Sequence, residues 1–378
     1  MAEDAEAEPG AGVRASAAVP GPAFDAALAA ARRAVADFLH ALDPAARVVV
    51  FCHFDADGLA AGALFGRGLA RLGFADVRVV PSERGEAAFS DGARARLAAL
   101  APAALVVTDL GVREEGVLPG VPTLYVDHHF PEGEPTGATV VSGYAWEPIP
   151  NSAWLAYELL APLADLSDLG WLAAVGTIGD LGERAPWPAL GALKKRYTAK
   201  WLKEAVSLVN AARRSRVFDV ATPLGLLLRA DHPRALSEDD AGGAGLLRAY
   251  REEVRAALAD ARRRAPLFSE SGPLALVPLD SPCQVHPLIA QQWRGRLPGH
   301  AVIAANRGYL PGVVAFSART ARADLHLPRL LRAVDLGAAA NAQFGHGHDQ
   351  ASGGHLPPAD FNRLVAALGF DARARVPE

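Results

Sequence analysis

Between residues 26 and 42 the apolar positions Ala27, Ala31, Val35, Phe38 and Leu39 recur at helical spacing and predict an amphipathic helix. A different rhythm follows. The run RVVVFCH over 47–53 is strand-like, and residues 58–72 read as a helix. VRVVPS over 77–82 is a short strand, residues 93–101 a helix, and ALVVTDL (104–110) and TLYVDHH (123–129) are further apolar runs bounded by turn residues. Residues 151–163 and 169–178 are again helical in pattern. Strands alternating with helices predict βαβ units on a parallel sheet.

From about residue 186 to 265 the pattern changes to longer polar helices, including LLRAYREEVRAALADARRR. Strands return with LALVPL, HAVIAANRGY and VVAFSAR, then a Gly/His-rich loop and a closing helix over 359–368. The expected fold class is therefore α/β in two lobes: an N-terminal parallel-sheet domain (23–185) and a smaller C-terminal α/β domain (266–378). A helical connector (186–265) joins them, and a disordered tail covers 1–22.

Composition narrows the class. The chain has 378 residues, 51% of them hydrophobic and 21% charged, so it can build sizeable cores. A net charge of −4 excludes a generally polybasic coat for nucleic acid or membrane, and any anionic ligand must be held locally. Cys52 and Cys283 are the only cysteines, which excludes a disulfide framework and a Cys-rich zinc module. No apolar run approaches transmembrane length and the acidic start has no apolar core of a secretory signal, so a cytoplasmic protein without a membrane partner is expected.

Three strand-like runs end in metal-ligand residue types: His53, Asp55 and Asp57 after VVVFC, Asp109 after LVVT, and Asp127, His128 and His129 after LYV. Open parallel sheets build their sites at the carboxyl ends of strands, and Asp180 in GTIGDLG would add a fourth, loop-end group. In extended backbone His53, Asp55 and Asp57 would share one face. Read singly, Asp57 before Gly58 is a helix N-cap and Asp109 before Leu-Gly a turn residue. Together, so many carboxylates in one crevice repel unless cations neutralise them. Asp with His and without Cys suits Mn²⁺ or Mg²⁺, in the manner of a two-metal phosphoryl-transfer site.

At this point the motifs resemble a known family. His53-Phe54-Asp55-Ala56-Asp57-Gly58, Asp109-Leu110-Gly111, Asp127-His128-His129 and Gly176-Thr177-Ile178-Gly179-Asp180 are similar, in order, to motifs I to IV of the DHH phosphoesterases. The segment Gly345-His346-Gly347-His348-Asp349-Gln350-Ala351-Ser352-Gly353-Gly354 resembles the glycine-rich motif of their associated DHHA1 domain, and the likeness spans about 45–370. It implies that Asp55, Asp57, Asp109, His128 and Asp180 hold two Mn²⁺ ions, Mg²⁺ being the other option. His53 joins that set at the motif I position found in RecJ-like exonucleases, and Asp109 bridges the ions. It also implies that Asp127 orients the adjacent histidine ligand, that His129 meets the phosphate or leaving group, and that a water between the ions attacks phosphorus. Arg319 matches the family's substrate-binding arginine, and Gly345, Gly347, His348, Gly353 and Gly354 would cradle a phosphate. His346 stands where glycine is usual.

All four lysines of the chain, Lys194, Lys195, Lys200 and Lys203, cluster with Arg196, Arg213, Arg214 and Arg216 around Tyr197 and Trp201. The stretch is either a solvated helix face or a backbone-and-base contact for a single strand. The expected activity is Mn-dependent hydrolysis of phosphodiester bonds in short single-stranded DNA or RNA. A small-nucleotide phosphoesterase (cyclic dinucleotide, linear dinucleotide or phosphoadenosine-phosphate) is the alternative. A non-catalytic replication or repair adaptor and a pyrophosphatase stand further off.

Overall fold

In the computed structural model, residues 19–337 and 344–377 are described. They form two compact units, 1–213 with 219–248 and 214–218 with 249–378.

The first unit opens with α1 (Pro22–His40), β1 (Arg47–Cys52), α2 (Ala56–Arg71), β2 (Asp76–Pro81), α3 (Asp91–Ala98), β3 (Ala104–Thr108), β4 (Thr123–Asp127) and β5 (Thr139–Ser142). It continues with α4 (Ser152–Leu160), α5 (Gly170–Leu181), α6 (Leu190–Tyr197), α7 (Ala199–Arg214), α8 (Ala221–Arg229) and α9 (Ala235–Glu238). Its sheet is wholly parallel in the order β2-β1-β3-β4-β5. After Arg47 in β1, and throughout β3 and β4, the side chains are buried on both faces, as the continuous apolar runs require of central parallel strands. The strand β5, absent from the sequence-based pattern, is four residues long and lies at the sheet edge, where TVVS is only half covered. The chain reverses its order between β1 and β3, so the crevice at their carboxyl ends is a topological switch point.

The second unit holds α10 (Ala244–Ala261, shared at its start with the first unit), β6 (Leu267–Phe268), β7 (Leu274–Leu279), α11 (His286–Arg296), β8 (Ala301–Asn306) and β9 (Val314–Thr320). After these come α12 (Leu327–Arg332), β10 (His346–His348), β11 (Ala351–Leu356) and α13 (Pro358–Ala367). Its six-stranded mixed sheet runs β10-β11-β9-β8-β7-β6, with β7 and β8 parallel and the other neighbours antiparallel. Phe316, Phe361, Leu327, Leu331 and Ile303 lie in its core.

Several expectations change. Pro22, at the end of the segment expected as a tail, already opens α1, and residues 1–18 lie outside the described residues. Helices α6 to α9 group with the first unit and most of α10 with the second. The glycine-rich segment is a β10–β11 hairpin rather than a loop, because residues 346–348 pair in antiparallel register with 351–353 and β11 pairs in turn with β9. Gly353 has a structural reason of its own: a Cβ there would lie 2.5 Å from the Phe316 carbonyl oxygen on β9. Among the described residues no helix is long and apolar enough to cross a membrane.

Candidate metal centre

Strand β1 ends at Cys52, and the turn that follows delivers His53 and Asp55. Asp55 is extended (φ −93°, ψ −172°) and caps α2, its Oδ1 accepting from the N–H groups of Asp57 and Gly58 at 3.1 Å each. The N-cap is thus Asp55 and not Asp57. Asp57 sits in the first helical turn, so His53, Asp55 and Asp57 do not share the face that an extended backbone would give them. A Cβ on Gly58 would meet the His53 carbonyl oxygen at 2.5 Å, which leaves glycine as the residue for this tight turn.

Asp57 is 2% exposed and fully engaged. Its Oδ1 accepts from Asn151 Nδ2 at 2.5 Å and from the Ala153 N–H at 2.7 Å, and its Oδ2 from the Ser152 N–H at 3.0 Å. The first turn of α4 therefore presents its unpaired N–H groups to a buried carboxylate. Thr177 of α5 donates to Asn151 Oδ1 at 2.9 Å, and Ser152 Oγ donates to Asp109 Oδ1 at 3.0 Å. Asn151, Ser152 and Thr177 are absent from the sequence-based set of candidates. The signals for them were a polar Asn-Ser pair opening the largely apolar α4 and, for Thr177, its place in the Gly176–Asp180 motif.

Asp109, one residue past β3, takes φ +64°, an uncommon conformation that a short polar side chain tolerates. It is 4% exposed and stands at the junction of the cluster. His53 Nδ1 lies 3.2 Å from Asp55 Oδ2 and 3.6 Å from Asp109 Oδ2, while His128 Nε2 lies 3.3 Å from Asp109 Oδ1 and 3.8 Å from both Asp57 Oδ2 and Asp180 Oδ2. Three overlapping groups result: His53, Asp55 and Asp109; Asp57, His128 and Asp180; and Asp109, His128 and His129. Asp180 belongs to the last turn of α5 and not to a loop, and the close α2–α5 packing brings it in.

Asp127 orients a different histidine from the one expected. Its Oδ1 accepts from the His129 N–H at 2.6 Å and lies 2.9 Å from His129 Nδ1, and its Oδ2 accepts from the Gly111 N–H at 2.8 Å. The backbone turns immediately after β4, which puts His129 over Asp127 and leaves the buried His128 Nδ1 without a partner.

The electrostatics are those of a crowded acidic pocket. Burial pushes Asp180 up to about 6, with Asp109 and Asp55 adding to it and His128 opposing. Burial likewise raises Asp57, reinforced by Asp109 and Asp180. For Asp109 burial is outweighed by hydrogen bonds from His128 and His53, and its carboxyl is held low. Asp55 and Asp127 are held low against burial, Asp55 chiefly by His53 with help from Arg213, and Asp127 by His129. Burial disfavours the charged form of His128, but Asp180, Asp109 and Asp57 raise it well above the usual imidazole value. The same balance, with Asp55 and Asp109 as partners, takes His53 up to about 10. A proton on His128 thus stands where three carboxylates converge, and Asp180 Oδ2 is buried with no hydrogen-bond partner. That donor set fits divalent cations.

Removing Asn151 tests this scaffold. Asn151→Ala leaves Asp57 without one donor, and we expect about 1–3 kcal/mol of lost stability and a roughly 10- to 100-fold weaker divalent-cation affinity, on the order seen for residues that orient ligands. Urea melts and Mn²⁺ titration calorimetry measure the two effects.

In the second unit, Arg319 lies within β9, 9% exposed, and its Nη1 donates to Ser317 Oγ, the Ala318 carbonyl and the Ser352 carbonyl at 2.9, 2.9 and 3.3 Å. His286, to which the sequence reading assigned no role, is buried in the first turn of α11 with Nδ1 unpartnered; burial and then the Arg319 charge push it down to about 3, so it is neutral. Gly345 has φ +67°. The side chain of His348 lies outside the described residues.

The basic stretch splinters. Lys194 donates to the Glu183 carbonyl, Lys203 pairs with the Glu183 carboxylate, Arg196 donates to the Ser167 carbonyl, and Arg213 donates to Asn210 and covers Phe54. Lys200 and Arg234 both lie over Trp201, and Arg234 is also paired with Glu238. Lys194, Lys203, Arg196 and Arg213 therefore tie α6 and α7 to neighbouring segments, while the Lys200 contact stays within α7.

No protein-family model matches the chain, and no curated protein matches it in sequence. Solved structures do match in fold. RecJ from Thermus thermophilus in complex with Mn²⁺ superposes with a TM-score of 0.64 at 23% identity, covering 92% of this chain and 55% of that one. The chain thus spans about half the length of the Thermus protein. An exonuclease RecJ bound to manganese gives 0.63 at 24% identity, covering 92% and 95%. A DHH-domain structure described as a member of the s1p family of ribosomal proteins gives 0.63 at 13% identity, covering 94% of each. A parallel-sheet unit followed by a mixed-sheet unit is the architecture shared with them. In fold, this chain is similar to these RecJ and DHH-domain structures.

Proposed function

We propose that the protein is a divalent-metal-dependent phosphodiesterase that shortens single-stranded nucleic acid, with Mn²⁺ as its ion. The observation that carries this reading is the convergence of Asp55, Asp57, Asp109 and Asp180 with His53 and His128 at the switch point of the sheet, held by Asn151, Ser152 and the first turn of α4. An adaptor has no need of four carboxylates gathered there.

His53, Asp55 and Asp109 would hold one cation and Asp57, His128 and Asp180 the other, with Asp109 serving both. When bound, such a pair supplies an activated water and neutralises charge on the phosphoryl oxygens. The protein's own part is positional. The N–H groups of Ser152 and Ala153 fix Asp57, and Ser152 Oγ holds Asp109 in place. Asp127 accepts a hydrogen bond from His129 Nδ1 and so turns His129 Nε2 outward, where it can donate to a phosphate or leaving-group oxygen. In the second unit Arg319, His348 and the glycines Gly345, Gly347, Gly353 and Gly354 would form the phosphate-holding set.

Cation binding must expel protons from this pocket. Because His53 and His128 are raised, Asp180 sits at about 6 and Asp57 is also raised, apparent Mn²⁺ affinity falls steadily from well above neutral pH and falls further through about 6, and binding at pH 6 releases at least one proton. Calorimetry in buffers of different ionisation enthalpy reads that proton directly; a pH-independent affinity between about 5 and 7 would contradict the assignment.

Strand length separates the main reading from nucleotide turnover. End-labelled single strands from a dinucleotide to about a twenty-mer should all be shortened stepwise. Cleavage of the dinucleotide alone, or of a cyclic dinucleotide alone, would move the protein to small-nucleotide hydrolysis.

A further inference from the structure

Two large aromatic side chains stand exposed beside the cluster. Phe130, the residue after His129, is 62% exposed, and Tyr144, two residues past β5, is 39% exposed. Their rings meet edge to face with centroids 5.2 Å apart. Both project from the carboxyl ends of neighbouring strands, β4 and β5, on the same edge of the sheet that carries the candidate ligands. Leaving so much aromatic surface in water forgoes the burial that normally fixes such residues, and two such rings in contact offer a ready stacking surface.

We propose that the Phe130–Tyr144 pair is a stacking platform for a nucleobase of the substrate, next to the phosphate held at the cluster; the inference rests on the phosphodiesterase reading above. Charge selects the occupant. Residues 130–134 and 144–147 carry Glu132, Glu134 and Glu147 and neither lysine nor arginine, and the Arg113 guanidinium beside them is engaged by Glu132, so the rings suit the uncharged part of a nucleotide rather than a phosphate. Stacking on an aromatic face needs no hydrogen-bond readout, so the platform would accept any base and set affinity rather than sequence preference. The Glu132 carboxylate is tied to Arg113 at 3.0 Å, and Arg113 lies over Phe89, so the segment after Phe130 is anchored.

The test compares a normal oligothymidylate with a strand of the same backbone built from abasic residues. The readouts are hydrolysis with Mn²⁺ and competition binding against a fluorescein-labelled strand. The protein should favour the base-bearing strand by about 5- to 150-fold in affinity or KM, the worth of one stacked base. Phe130→Ala and Tyr144→Ala should lose most of that preference while leaving the abasic strand unchanged, and Phe130→Tyr should retain it. A wild-type protein that binds both strands equally, or alanine variants that keep full discrimination, would overturn the platform. Discrimination in binding that depends on Phe130, without any hydrolysis, would uphold the platform and reject the phosphodiesterase reading instead.

Discussion

Asp109→Asn should abolish phosphodiester hydrolysis, with a loss of about a thousandfold or more. The carboxylate serves two of the three ligand groups and neighbours both His53 and His128, so its replacement removes charge from the whole cluster at once. Metal-ion stabilisation is worth several kcal/mol of barrier, and each ~1.4 kcal/mol is about a factor of ten. The variant should fold. An amide keeps the volume and one oxygen can still accept from Ser152 Oγ. The charge that His128 and His53 hold in place is lost, so the urea midpoint of the metal-free protein should fall modestly at neutral pH, and Mn²⁺ stoichiometry measured after dialysis should fall with it. Equal hydrolysis by variant and wild type would remove Asp109 from the mechanism.

The second large effect concerns stability. Gly176 lies where α5 crosses α4 and α2, and a Cβ there would sit 2.3 Å from Ala153 Cβ and 3.0 Å from Asp57 Oδ1. Gly176→Ala should cost about 2–3 kcal/mol, at the upper end for an overpacked core, because two buried helix backbones must separate. The Asp57 carboxylate would move with them, so Mn²⁺ affinity should fall together with the denaturation midpoint. Ala153→Gly removes the atom that collides. In the double variant, Gly176→Ala with Ala153→Gly, much of the lost stability should return, as coupling between touching residues requires. Independent, additive effects in that cycle would show that the close approach of α4 and α5 is not what demands glycine at 176.

The contrast between Asp109 and Asn151 explains what the sequence made legible. Asp109 and the Asp127-His128-His129 run follow continuous apolar strands, and parallel topology forces such strand ends together; adjacency in space could be inferred from pattern alone. The Asn151–Asp57 bond joins residues 94 positions apart, from a loop and a helix whose approach depends on how α4 packs on α2, and no periodicity encodes that. The capping assignment missed for a smaller reason. Asp55-Ala56-Asp57-Gly58 offers two acidic caps, and only the extended backbone at Asp55 decides between them. Asp180 was recognisable by motif, yet GTIGDLG, with its several glycines, reads as a loop, and it is helix–helix packing against α2 that keeps it helical. The Asp127 partner differs from the one the resemblance implied because the strand stops at Asp127 and the next residues turn, bringing the His129 N–H and ring onto its carboxylate. Strand β5 escaped notice because four residues at a sheet edge carry almost no pattern.

The account's central claim is that this cluster hydrolyses phosphodiester bonds only with divalent cations in place. The direct measurement follows a terminally labelled twenty-mer single strand over time in three portions of one preparation: as purified with Mn²⁺, after EDTA and dialysis, and after Mn²⁺ is restored. Stepwise shortening in the first, none in the second and recovery in the third is the predicted result. Undiminished hydrolysis after chelation, or an intact strand in the presence of protein with two Mn²⁺ bound per chain, would contradict it.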